Sequence, residues 1–163
     1  MAIVSKLVEK FYFSTYCRFD PKGEKRLALT FDDGPDPVYT PKILAILNTY
    51  QIKAFFFVSA EKLLNQAVLL REVYQEGHGV GSHFFFHQNY FFQPTSKVIA
   101  AVEDSVNLIE KILGWRPILI RPPYGYLRPQ TSRELGKRGY KIILWDVMPK
   151  DYQQPGVAKI IQR

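Results

Sequence analysis

Short apolar runs and amphipathic stretches alternate about five times along this chain of 163 residues, and that alternation constrains the fold more than any other feature. Residues 26–31 (RLALTF), 53–58 (KAFFFV), 78–82, 117–121 and 140–146 (YKIILWD) read as short buried strands. Between them, 41–50, 61–76, 96–113 and 130–138 read as helices, and a last helical stretch begins near 157. The stretch 96–113 shows the pattern best: Val98, Val102, Val106, Ile109 and Ile112 share one side, and Gly114 stops it. Thr40 and Pro41 read as an N-cap followed by proline at the first helical position. Strands that alternate with helices run parallel and are joined by helical crossovers. The expected class is therefore α/β, either an open sheet or a (β/α) barrel. No linker, low-complexity tract or repeat divides the chain, and its length suits one domain.

The first 25 residues lie outside this alternation and are expected to form a helical extension, with 26–163 as the domain. The opening MAIVSKLVEKFYFSTYCRFD lacks a clear apolar core and a small-residue cleavage site, so no signal peptide is expected. An amphipathic helix there would pack on the domain or touch a membrane. No stretch approaches the roughly 18 consecutive apolar residues of a membrane span. With no export signal evident, the compartment stays open between cytoplasm and cell envelope. The single cysteine, Cys17, excludes an intrachain disulfide and a cysteine metal cluster, and is expected as a packing residue. A net charge of +7 suits an anionic partner, but the basic residues are scattered and carry no nucleic-acid signature, so no nucleic acid is expected.

Three polar clusters directly follow expected strands. Asp32 and Asp33, in TFDDGP, are adjacent carboxylates that can take different tasks, one binding a metal and one handling a proton. Alone, the pair also reads as an ordinary Asp-Gly turn. His83 and His87 are four residues apart, a spacing that puts two imidazoles on one face of a helical turn, where they can share a zinc-type ion. Alone, they also read as partly buried histidines in an aromatic patch. Phe84 stands where a zincin protease carries glutamate, which excludes that class. His78, in a Gly-flanked turn, is expected to be structural. In RPPYG, two prolines stiffen a loop, and Arg121 can reach a carboxylate such as Asp32 with its fork. One Asp and two His suffice for a catalytic metal with open positions, and in a parallel α/β fold residues after strands gather on one face.

Read in order, TFDDGP, H-x-x-x-H and R-x-P-Y resemble the polysaccharide deacetylases of the NodB-homology type, carbohydrate esterase family four, from about Arg26 onward. The resemblance implies an incomplete, distorted (β/α) barrel that removes N-acetyl groups from N-acetylglucosamine-containing polysaccharide, peptidoglycan or chitin-like oligomers. It implies a divalent ion, zinc first, on Asp33, His83 and His87. Asp32 would be the general base, Arg121 its support, and the Tyr124 N–H an oxyanion donor. Asp151 falls where the family orients a catalytic histidine. Tyr152 replaces the commoner Trp of the pocket wall, and Pro123 and Trp145 complete the substrate-binding set.

Two departures stand out. Phe84 replaces the usual Ser or Thr after the first histidine. The family's L-x-H motif, whose histidine is the general acid, has no counterpart before Arg163. The last strand and that motif are expected beyond the chain's end, and the 163 residues are expected to bind metal but turn over weakly. Two other readings remain: a glycan-binding domain without catalysis, and a deacetylase of a small N-acyl compound. Oligomeric state is left open.

Overall fold

The protein is described here by a computed structural model covering residues 14–17 and 27–162. Six strands form one sheet: β1 (Thr15–Tyr16), β2 (Thr30–Gly34), β3 (Phe55–Val58), β4 (Gly79–Ser82), β5 (Leu119–Ile120) and β6 (Lys141–Ile143). Their order is β1-β6-β5-β4-β3-β2 and every pair is parallel. Among the described residues five α-helices accompany them: α1 (Tyr39–Thr49), α2 (Ala60–Gln75), α3 (Thr95–Leu113), α4 (Pro129–Lys137) and α5 (Val157–Ile161). This is the expected α/β alternation, with β1 and β2 as the edges of an incomplete barrel among the described residues. No helix among them is long and apolar enough to cross a membrane.

Side chains alternate across each strand and sort the two faces. Phe56, Val58 and Val80 join Leu44 and Leu47 of α1, Leu63, Leu70 and Val73 of α2 and Ile109 of α3 in one core. Ile120 and Ile142 join Val98, Val102 and Val106 of α3 and Leu135 of α4 in a second. The opposite face carries Phe55 and Phe57, and β4 makes room for them with glycine. A Cβ at Gly79 would lie 2.2 Å from the Phe55 ring; one at Gly81 would lie 2.7 Å from the Leu119 carbonyl oxygen and 2.8 Å from the Phe57 ring.

Several expected boundaries shift. The strand expected over 26–31 lies at Thr30–Gly34, because its partner β3 begins at Phe55, whose N–H bonds to Leu29 O. Leu27 is left exposed. Of the expected helical extension, most falls outside the described residues, and the described part includes a strand: Thr15–Tyr16 pair with Ile142 and Ile143. Cys17 is buried, as expected of a packing residue.

Thr40 is not the N-cap of α1. It lies inside the helix, and Asp36 does the capping: its Oδ1 accepts from the N–H groups of Val38 and Tyr39, each at 2.8 Å, while Thr40 Oγ1 accepts from Asp36 N–H at 2.9 Å. The Tyr39 and Val38 donors hold the Asp36 carboxyl below its ordinary range, which is near ~3.9. Its stabilisation is therefore complete above about pH 4 and lost as pH falls through the lowered folded value. Asp36→Ala should melt at a lower temperature than the parent at pH 7, and the gap should close progressively as the solution is acidified below about pH 4. A gap unchanged by pH in melting curves would rule out the charge as its cause.

Candidate metal centre and active site

The C-terminal ends of β2, β4 and β5 bring Asp32, Asp33, His83 and Arg121 to one place. Pairing between β2 and β3 skips a residue, with Asp32 opposite Phe57 and Gly34 opposite Val58, so Asp33 is the extra residue of a β-bulge. Its φ is 66°, in the left-handed region. Bulges re-aim side chains, and this one separates the two neighbouring carboxylates.

Asp32 turns to Arg121, the largest fully buried side chain, 1% exposed. The guanidinium donates from Nη1 to Asp32 Oδ1 and to Thr30 Oγ1, both at 2.8 Å, from Nε to Ile143 O at 3.0 Å, and from Nη2 to Leu144 O at 3.3 Å. Its carbon lies 4.2 Å from the Phe57 ring centroid and 4.9 Å from that of Trp145, so two aromatic faces sandwich it. Burial pulls Arg121 below the ordinary arginine value, and the Asp32 charge opposes that pull. The glycines of β4 thus bear on the site: they admit Phe57, Phe57 supports Arg121, and Arg121 fixes Asp32.

Asp33 turns the other way. Its Oδ1 lies 3.2 Å from His83 Nε2 and 3.3 Å from His87 Nε2. Hydrogen bonding with His83, then the charges of His83, His87 and Lys62, hold the Asp33 carboxyl below its ordinary range, against the opposing effect of burial. His83 is buried, and its Nδ1 lies 2.7 Å from the backbone oxygen of Arg121. A carbonyl only accepts, so Nδ1 carries the proton and the Nε2 lone pair of a neutral His83 faces Asp33. Lone pairs from an imidazole and a carboxylate do not face each other at this distance without positive charge between them. A proton or a cation satisfies the arrangement. Three such atoms converging from Asp33, His83 and His87, all within 4.8 Å of one another, form a donor set that suits a divalent ion with positions left open.

The two histidines are not on a helical turn, contrary to the sequence reading. Residues 83–88 form an irregular bend, and Phe84 has a φ of 68°. Phe84 itself is fully buried and packs on Tyr90, with ring centroids 5.0 Å apart, so the residue that replaces the family's hydroxyl is a core side chain. His78 is structural as expected: buried, it accepts the Ala54 N–H at Nδ1 at 3.2 Å.

In the RPPYG loop, Pro123–Gly125 form a 3-10 turn in which Tyr124 has a φ of 61°. The Tyr124 ring lies 4.7 Å from that of His87, while Pro123 is buried. A Cβ on Gly125 would lie 2.7 Å from Trp145, which is thus wedged between this turn and Arg121. Asp151 and Tyr152 are both exposed, on a separate 3-10 turn, Asp151–Gln153.

The profile of the polysaccharide deacetylase family matches residues 19–143. The chain belongs to that family. Among relatives of this polysaccharide deacetylase domain, a peptidoglycan-N-acetylglucosamine deacetylase of Bacillus cereus is 35% identical over 86% of this chain and 67% of its own length. The peptidoglycan-N-acetylmuramic acid deacetylase PdaC of Bacillus subtilis is 35% identical over 88% of this chain, which spans 30% of PdaC. A chitooligosaccharide deacetylase of Bradyrhizobium is 32% identical over 87% of this chain and 65% of its own. In structure, PdaC of Bacillus subtilis superposes with a TM-score of 0.79 and 34% identity over 88% of this chain and 69% of the solved one. The Bc1960 peptidoglycan N-acetylglucosamine deacetylase reaches 0.88 at 28% identity over 95% and 71%. The incomplete barrel is therefore the fold of a polysaccharide deacetylase.

Proposed function

We propose that this chain holds a divalent ion, zinc first, on Asp33, His83 and His87, and hydrolyses N-acetyl groups of N-acetylglucosamine-containing glycans of the peptidoglycan or chitin type. The single observation that supports this best is the convergence of three lone-pair atoms beside a carboxylate, Asp32, that a buried arginine holds apart from them. An ion bound there supplies Lewis acidity and lowers the pKa of water from 15.7 toward ~7–9.

Asp32 is the base. Its Oδ1 is held by Arg121, which orients the carboxylate to take a proton from the attacking water. Arg121 is its positioning residue. The Tyr124 N–H is the proposed donor to the tetrahedral oxyanion, with the Tyr124 ring and Pro123 beside the acetyl group. Trp145 supports this wall from behind by packing on Gly125 and Arg121. Asp151 and Tyr152, exposed on their own turn, are assigned no step.

A zinc titration and an acetate assay test this together. The 163-residue chain should bind one zinc ion by titration against a chromophoric chelator. With chitin-type oligomers it should release acetate, and removal of the ion by a chelator should abolish that release. Failure to bind zinc sinks the metal-centre proposal. Zinc binding without acetate release from oligomers sinks the hydrolysis proposal, and release from small N-acyl compounds in place of oligomers would reassign the substrate.

A further inference from the structure

His83 is held by a strand end and by its Nδ1 contact, but His87 lies on an irregular bend, its side chain 32% exposed. Something else must fix it. The N-terminus of α2 meets that bend edge-on. Ala60 N–H donates to Phe84 O at 3.0 Å and Glu61 N–H to Phe85 O at 2.9 Å. In return, His87 N–H donates to the Glu61 carboxylate at 3.2 Å. The exchange resembles a capping box built between two segments instead of within one. Ser59, at the N-cap, makes no side-chain capping bond, so the bend's carbonyls take the place of a cap. The helix end meets those carbonyls with its positive pole, and the same pole favours the Glu61 charge in the first turn.

We propose that Glu61 is a positioning residue for the metal centre: it sets the backbone of His87 and thereby the affinity for the ion. The inference rests on the metal-binding reading of Asp33, His83 and His87. A backbone N–H bonded to a carboxylate is a stronger tether than a neutral bond, and Glu61 is the side chain that ties the second histidine to a regular element. The rings of Tyr124 and His83, at 4.7 and 5.4 Å from that of His87, limit its tilt but leave its backbone to Glu61.

Zinc affinity of the parent chain, Glu61→Ala and Glu61→Gln, read by competition with a chromophoric chelator, tests this together with the melting temperature of each metal-free protein. Glu61→Ala should bind zinc about 10–100-fold more weakly, whereas Glu61→Gln keeps an acceptor oxygen without the charge and should fall between Glu61→Ala and the parent. Both variants lose the charge at the helix end, so the metal-free melting temperature of each separates a general loss of stability from a change in zinc affinity. Equal affinity of Glu61→Ala and the parent overturns the proposal, and so does a Glu61→Gln as weak as Glu61→Ala. A parent chain that binds no zinc overturns the metal-centre reading itself, whereas zinc binding by the parent with no effect of Glu61→Ala overturns only the role of Glu61.

Discussion

Arg121→Met should lower the unfolding free energy by about 3–5 kcal/mol, the largest loss of stability expected from any single change near the site. Arg121 is 1% exposed and the Asp32 side chain 19% exposed. Taking away the cation therefore leaves a mostly buried carboxylate without its counter-charge. It also leaves Thr30 Oγ1 and the carbonyls of Ile143 and Leu144 without the donors that now satisfy them. Methionine fills part of the space between the Phe57 and Trp145 rings, so the loss reports missing charge and hydrogen bonds more than a cavity.

A double-mutant cycle separates these contributions. In an Asp32→Asn background no unpaired carboxylate is created, and Arg121→Met should there lose clearly less stability, as read by urea unfolding. Equal losses in the two backgrounds would show that Arg121 acts through its backbone acceptors and not through Asp32. Any acetate release should fall on the order of 10²–10⁴-fold in Arg121→Met, because a base without its support is no longer held toward water.

The parts of this site that could be read from the sequence are those that depend on residue type and strand order. Thr30 to Gly34, Ser82 to His87 and the Arg121 loop each follow an apolar run, and parallel strands deliver their ends to one side. The helix over 96–113 was legible for the same kind of reason, since Val98, Val102, Val106 and Ile109 repeat at helical spacing and are all buried. The parts that were not legible depend on single backbone angles or on cross-strand register. An extra residue at Asp33 changes neither composition nor period, yet it decides which way each carboxylate points. Phe84 adopts a left-handed φ that its type disfavours, so a spacing of four reads as a helical turn where the chain bends. A strand at 78–82 can be read from the sequence, but only the register of Gly79 and Gly81 against Phe55 and Phe57 shows what those glycines make room for.

His83→Ala should weaken zinc binding on the order of 10²–10³-fold, the loss of one ligand's share of a strong site. His83 anchors the set in two ways: Nε2 faces Asp33, and Nδ1 is tied to the Arg121 carbonyl, so the ring can neither flip nor change tautomer without breaking a 2.7 Å contact. Asp33 and His87 alone leave a site on a bulge and a bend, with no buried ligand. His78 provides the contrast, because it is equally a buried histidine but bonds to Ala54 N–H and packs against Phe56. His78→Ala should lower the melting temperature and leave zinc affinity unchanged. The pair is decisive when both are titrated with zinc: equal affinities for His83→Ala and His78→Ala would mean that the converging lone pairs at Asp33 are held by a proton and not by a metal ion.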